Sequence, residues 1–146
     1  MQIERTLEFI SNHWILSSAH FIVSLLLLQD LFDTLTRKYK TASPAAAVGL
    51  LNRDDTIVID VRDPADFAKG HINGARPISL PRLKEKLFEL EPHKNSPILV
   101  YCQQGTLSKE ACKQLAAAGF THVYYLDGGL LTWQDQKLPL VRKSKK

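Results

Sequence analysis

Two cysteines occur in this chain, Cys102 and Cys112, and the first sits in a pattern that can do chemistry. An apolar run, residues 97–101 (PILVY), precedes it, the short loop Gln103-Gln104-Gly105-Thr106 follows, and residues 107–118 then read as an amphipathic helix. This order predicts a strand that delivers the sulfur to a helix N-terminus. Backbone N–H groups there lack intrahelical partners and the helix dipole presents its positive end, so a thiolate or a bound anion is favoured. A cysteine so placed is a candidate nucleophile. A small buried residue closing a core strand would look the same from Cys102 alone.

The elements that would hold this cysteine are legible from residue 43 onward. Ser43 suits an N-cap and Pro44 the first helical position, so 44–51 is expected to be a short helix. Residues 56–61 (TIVIDV) are β-branched and almost continuously apolar, as for a strand buried on both faces of a parallel sheet. A short helix is expected over 64–68, a weak strand over 75–79, and a helix over 81–90 with Leu83, Leu87 and Leu90 on one face. Strands are expected at 98–101 and 122–126. The helix between them would turn Leu107, Ala111, Cys112, Leu115 and Ala118 inward and stop at Gly119. Alternating strands and helices with short connections predict a three-layer α/β domain with a mostly parallel sheet, whose chemistry belongs at the carboxyl ends of its strands. Cys102 lies at such an end, and so does Asp60-Val61-Arg62-Asp63.

Length and charge narrow the rest. At 146 residues there is room for one domain and an appendage. Two cysteines are too few for a disulfide framework and fit a reducing compartment. Of the 19 basic residues, Arg37, Lys38 and Lys40 form one cluster and Arg142, Lys143, Lys145 and Lys146 another. The remaining 12 face 15 acidic residues, so a general nucleic-acid footprint is not expected. Both clusters suit anionic lipid headgroups, although the last would equally serve as a frayed basic tail. No charged residue occurs between Glu8 and Asp30, and 9–29 is long and apolar enough for one transmembrane helix. The expected organisation is a flank at 1–8, the span at 9–29, a basic juxtamembrane linker at 30–43, the domain at 44–141 and a basic tail at 142–146. The positive-inside tendency places the domain in the cytoplasm of a cell with a single-pass inner-membrane protein. A signal peptide is the rival, opposed by Glu4 and Glu8. A helix packed on its own domain or on a second copy is another, with His20 and Ser17, Ser18 and Ser24 as a contact face.

Three segments together resemble the rhodanese (sulfurtransferase) superfamily in its single-domain, bacterial membrane-anchored form. Residues 60–75 (DVRDPADFAKGHINGA) are similar to the family's DVRxxxEFxxGHIxGA signature, with Asp66 in place of Glu. Residues 101–109 (YCQQGTLSK) resemble its active-site loop, and 125–133 (YLDGGLLTW) its LxGGxxxW segment. The resemblance covers nearly all of 43–141 and implies a rhodanese-like domain in which a Cys102 thiolate takes a sulfane sulfur from a donor, thiosulfate or a persulfide, and passes it to a thiol or another nucleophile. Backbone N–H groups of Gln103, Gln104, Gly105, Thr106, Leu107 and Ser108 would then bind the substrate as an anion nest. No cofactor is implied, and no Cys/His pairs occur at metal-ligand spacing.

The resemblance sorts Arg62, its acidic neighbours and His71, and helix position sorts Lys109 and Cys112. Arg62, Asp60, Asp63 and Asp66 are expected to serve the scaffold through ion pairs, His71 to satisfy backbone groups near a turn, Lys109 to be a solvated helix lysine and Cys112 to pack in the core. Gln103 and Gln104 are neutral where rhodaneses that use thiosulfate well often carry cations, so the donor stays open between thiosulfate, held by backbone amides alone, and a persulfide delivered by a protein or small thiol. Phosphatases on the same fold use a C-x5-R loop; the corresponding position here is Ser108, so the phosphate clamp is missing. The remaining alternative is a membrane-anchored interaction module that binds a membrane protein or a sulfur-trafficking protein with little turnover.

Overall fold

A computed structural model describes residues 13–35 and 37–142. The chain divides into two compact units, Met1–Arg37 and Lys38–Lys146. The expected flank 1–8, residues 9–12 of the expected span and residues 143–146 of the expected tail lie outside the described residues.

Among the described residues the first unit holds one helix, α1 (Trp14–Leu35). Its stretch Trp14–Phe32 is long and apolar enough to cross a membrane, and none of it is buried. At 1.5 Å per residue these 19 residues extend about 28 Å, close to the hydrocarbon thickness of a bilayer. Apolar residues occupy consecutive positions from Leu25 to Leu28, so they cover the helix all round rather than one stripe. Ser18 donates its hydroxyl to the Ile15 carbonyl at 2.9 Å, which satisfies a polar group within the helix itself. The helix passes the expected end at residue 29 and runs through Asp30, since Leu31 and Phe32 continue its pattern.

The second unit is built on a five-stranded sheet in the order β1-β5-β4-β2-β3, every pair parallel. In chain order the elements are β1 (Tyr39–Ala42), α2 (Pro44–Leu51), β2 (Ile57–Asp60), α3 (Pro64–Lys69), β3 (Arg76–Pro77), α4 (Leu80–Leu90), β4 (Ile98–Tyr101), α5 (Thr106–Ala117), β5 (Val123–Leu126) and α6 (Gly129–Asp135), with one 3-10 turn, Glu91–His93. The three-layer expectation holds. On one face Ile57, Ile59, Ile98 and Val100 pack with Leu83 and Leu90 of α4 and with Ala111, Cys112 and Leu115 of α5. On the other, Val58, Leu99 and Tyr101 pack with Ala47 of α2 and Leu130 and Trp133 of α6. Alternate residues of the same strands thus serve opposite cores.

Local chemistry explains the element ends. Ser43 caps α2 by accepting from the Ala46 N–H, and Pro44 occupies its first turn. Helix α5 closes with a Schellman motif: Phe120 N–H donates to Leu115 O and Gly119 N–H to Ala116 O, with Gly119 at φ +92°. Two expectations need correction. The basic linker expected over 30–43 is in part structured: from Tyr39 it is β1, paired with β5 from Tyr39 opposite Val123 to Ala42 opposite Leu126. Leu107, expected to face inward, is 46% exposed, and Ser108 takes the buried place. The buried stripe of α5 runs through positions 108, 111, 112 and 115, and Leu107 lies about a quarter-turn from its centre.

Candidate functional site

Cys102 follows β4 directly and is 2% exposed. Its neighbour strands β2 and β5 end at the same edge of the sheet, so the loops after all three converge there. The Gly105 N–H donates to Cys102 Sγ at 3.0 Å, the geometry by which a backbone amide supports an anion on that atom. Gly105 sits at φ +97° as the residue before α5, a left-handed conformation that glycine adopts without strain. The buried Ser108 hydroxyl donates to Gly105 O at 2.8 Å and lies 3.7 Å from the sulfur, within reach of the thiol proton. The first intrahelical bond of α5 here is Lys109 N to Gly105 O at 3.3 Å. The amides of Thr106, Leu107 and Ser108 precede it and have no helical acceptor.

Of the six residues expected to form the nest, Gly105 and Ser108 are buried against the sulfur, whereas Gln103, Gln104, Thr106 and Leu107 have exposed side chains. The back of the loop is closed by Gly128-Gly129, both at positive φ. Leu130 N–H donates to Cys102 O at 2.9 Å and Leu131 N–H to Gln103 O at 3.1 Å, so the first turn of α6 is bonded to the loop main chain. A Cβ at Gly129 would stand 2.6 Å from Cys102 O and 2.7 Å from Gln103 O. That packing role of the second glycine is what a purely chemical reading of the loop missed. The GG pair beside an apolar strand was the available signal.

Asp60 and Arg62 form a buried pair at the end of β2. Arg62 Nη2 donates to Asp60 Oδ2 at 2.6 Å and to Gly70 O at 2.8 Å, and Nε donates to Asp60 Oδ1 at 3.0 Å. Burial alone would lower the Arg62 pKa, but the Asp60 hydrogen bonds and charge outweigh it and hold the guanidinium above its ordinary value. Arg62 Nη1 then donates to Gln103 Oε1 at 3.2 Å, so the scaffold pair also braces the loop. Asp66 pairs with Lys69 on the surface at 2.8 Å, which lowers its pKa. Asp63 precedes α3 without a side-chain capping bond.

His71 Nδ1 donates to Phe67 O at 2.9 Å, and its ring stacks on Phe67 at 3.8 Å between centroids. Its main chain exchanges both hydrogen bonds with Val141. His71 thus serves backbone groups, as expected. Lys109 places its ammonium 5.3 Å over the Tyr125 ring. Cys112 is fully buried on the core face of α5, where burial, with Cys102 adding, pushes its thiol pKa far up. The Tyr101 hydroxyl is likewise pushed up by burial and by Asp60, and it accepts from the Ile72 N–H at 3.1 Å.

A buried thiol cradled by a backbone amide at a strand–helix junction can act as a nucleophile toward small electrophilic sulfur compounds. The chain matches the family described as rhodanese-like domain over residues 43–136. It is 35% identical over 141 residues to the uncharacterized protein YibN of Escherichia coli K12, covering 96% of this chain and 99% of that one. It is also 35% identical to the thiosulfate sulfurtransferase GlpE of Pseudomonas putida F1, over 66% of this chain and 86% of that one. A crystal structure of a rhodanese-related protein from Thermoplasma volcanium superposes with a TM-score of 0.65 at 26% identity, over 72% of this chain and 100% of that one. The chain belongs to the rhodanese-like, sulfurtransferase family.

Proposed function

We propose that this protein is a sulfurtransferase that carries a sulfane sulfur as a Cys102 persulfide. The Gly105 N–H bond to Cys102 Sγ carries the reading, because it supports negative charge on the atom that must attack and later leave. In the first half-reaction the Cys102 thiolate attacks the outer sulfur of a donor. With thiosulfate, the S–S bond of the donor breaks, sulfite departs with the electron pair, and Cys102 bears the new persulfide. In the second, an acceptor thiolate attacks the outer persulfide sulfur and the Cys102 thiolate leaves, restoring the starting state. The loop amides from Thr106 to Ser108 support the outer sulfur. The similarity to proteins named thiosulfate sulfurtransferase favours thiosulfate as one donor; the neutral Gln103 and Gln104 leave room for persulfides.

The apolar helix Trp14–Phe32 is the membrane anchor of this proposal, in contact with lipid, with Arg37, Lys38 and Lys40 on the cytoplasmic side.

The test is intact-protein mass spectrometry of the full chain in detergent after incubation with thiosulfate or a persulfide donor. Cys102 gains the mass of one sulfur and loses it on addition of a thiol. If Cys102→Ser gains the same mass, the mechanism is wrong. Labelling of a cysteine placed in the C-terminal tail of intact cells reads the topology, and access from the periplasm would overturn the cytoplasmic assignment.

A further inference from the structure

Beside the loop lies a cavity of about 520 Å³ that the transfer chemistry leaves unused. It adjoins the Cys102 loop through Gln103 and through Leu130, whose N–H donates to Cys102 O at 2.9 Å. Its charged lining is Arg62, Lys69 and Arg142 against Asp66. Asp60 neutralises Arg62 from behind and Asp66 neutralises Lys69. Arg142 has no anionic partner among the described residues, which leaves the cavity with one positive charge in excess. Leu130 and Leu140 supply apolar wall.

The orientation of Gln103 adds a donor. A guanidinium is donor-only, so the carboxamide must turn its oxygen to Arg62, as it does at 3.2 Å. Its Nε2 hydrogens are thereby left for another acceptor, and among the described residues none takes them. A ligand complementary to this cavity is an anion with acceptor oxygens and a short aliphatic body. Its reactive end must lie toward Cys102, one residue from Gln103. We propose that the cavity is the subsite for the carboxylate of a low-molecular-weight thiol acceptor, held by Arg142 and the Gln103 amide while its thiol meets the Cys102 persulfide. The assignment rests on the sulfur-transfer reading and names the acceptor class for the same site. In the step, the acceptor thiolate forms a bond to the outer sulfur, the Cys102 S–S bond breaks, and the Cys102 thiolate takes the electron pair.

The experiment loads the full chain in detergent micelles with one sulfur. It then follows discharge by mercaptoacetate, 3-mercaptopropionate and neutral 2-mercaptoethanol, each corrected for its thiolate fraction. The carboxylate thiols are expected to discharge Cys102 about fivefold faster or more, the scale of one partly exposed charge-assisted contact. In Arg142→Glu the ratio falls to about one, whereas Lys84→Glu, an exposed charge reversal on α4 outside the lining, keeps it. A ratio of one in the unaltered protein overturns the proposal, as does equal loss in both variants, which would mark a general field. If Arg142→Glu slows loading from thiosulfate as much as discharge, the cavity holds the donor's oxyanion and the acceptor assignment is wrong. A parallel titration with unreactive methylthioacetate reads the Gln103 side-chain amide by NMR. A saturable shift that Arg142→Glu removes is expected, and its absence overturns the subsite. If Cys102 takes up no sulfur, the transfer reading fails while this titration still decides whether the cavity binds a carboxylate.

Discussion

Gly129→Ala is the sharpest perturbation of the site's construction. Gly129 holds φ +63°, so any side chain there costs about 1–2 kcal/mol of backbone strain. Its Cβ would also stand 2.6 Å from Cys102 O, 2.7 Å from Gln103 O and 2.8 Å from Gln103 C. All three are backbone atoms, so no flexible chain can swing aside. Relief requires α6 and the loop to separate, which weakens the bonds from Leu130 N and Leu131 N to those two carbonyls, at about 1 kcal/mol each. The expected loss of stability is about 2–4 kcal/mol. Gly74→Ala is the matched control, because Gly74 is at φ +78° with nothing within 4 Å of a built Cβ, and its cost is strain alone, about 1 kcal/mol. Urea unfolding of the full chain in micelles, followed by Trp133 fluorescence in a Trp14→Phe background, measures both, since Trp133 is buried on α6 itself. Persulfide loading gives the second readout: a loop displaced by even half an ångström slows it at Gly129→Ala and leaves it unchanged at Gly74→Ala. Equal costs for the two variants, with loading unaffected in both, would refute the inference that α6 is locked to the loop backbone.

Three further outcomes are expected. Asp60→Asn strands the buried Arg62 guanidinium and should cost about 3–5 kcal/mol in urea unfolding; a loss below about 1 kcal/mol would show the pair is not structural. Ser108→Ala removes the bond to Gly105 O and should cost about 1 kcal/mol while slowing sulfur loading of Cys102, measured by mass spectrometry. The contribution of Cys112 to stability should be full below about pH 8.5 and fall above it, because the unfolded Cys112 thiol then ionises while the folded one, pushed up by burial, keeps its proton. The slope is about 1.4 kcal/mol per pH unit, and Cys112→Ala should flatten the decline up to about pH 10, where Tyr101 ionises in the unfolded chain but keeps its proton in the fold and adds a decline of its own.

The sequence was readable where a residue's type dictates its surroundings. Apolar runs at 57–59 and 98–101, short and largely β-branched or aromatic, read as strands covered on both faces, and Ser43-Pro44 and Gly119 mark helix ends by backbone chemistry. The cysteine was legible for the same reason, since a strand, a tight loop and a helix follow one another in order. Strand β1 was not: YKTA buries only its first and last residues, and its neighbouring cations read as linker because pairing with β5 is a tertiary fact. Leu107 was misplaced because one residue at the start of a helix decides its direction by the exact turn in which the helix begins. The cavity beside Gln103 was invisible because its lining comes from segments 62–70, 103, 130–142 that share no local pattern.

The position of β1 in the sheet bears on how the chain comes off the ribosome. The residues of β1 are among the first of the folded unit to be made, yet Thr41 bonds Tyr125, 84 residues later. At usual elongation rates that interval is about 4–17 s. Through it the first strand has no partner, and β4, whose two neighbours are β2 and β5, has one open edge. Closure of the sheet therefore waits for the last strand, and a chain ending before Val123 keeps both edges open to other chains.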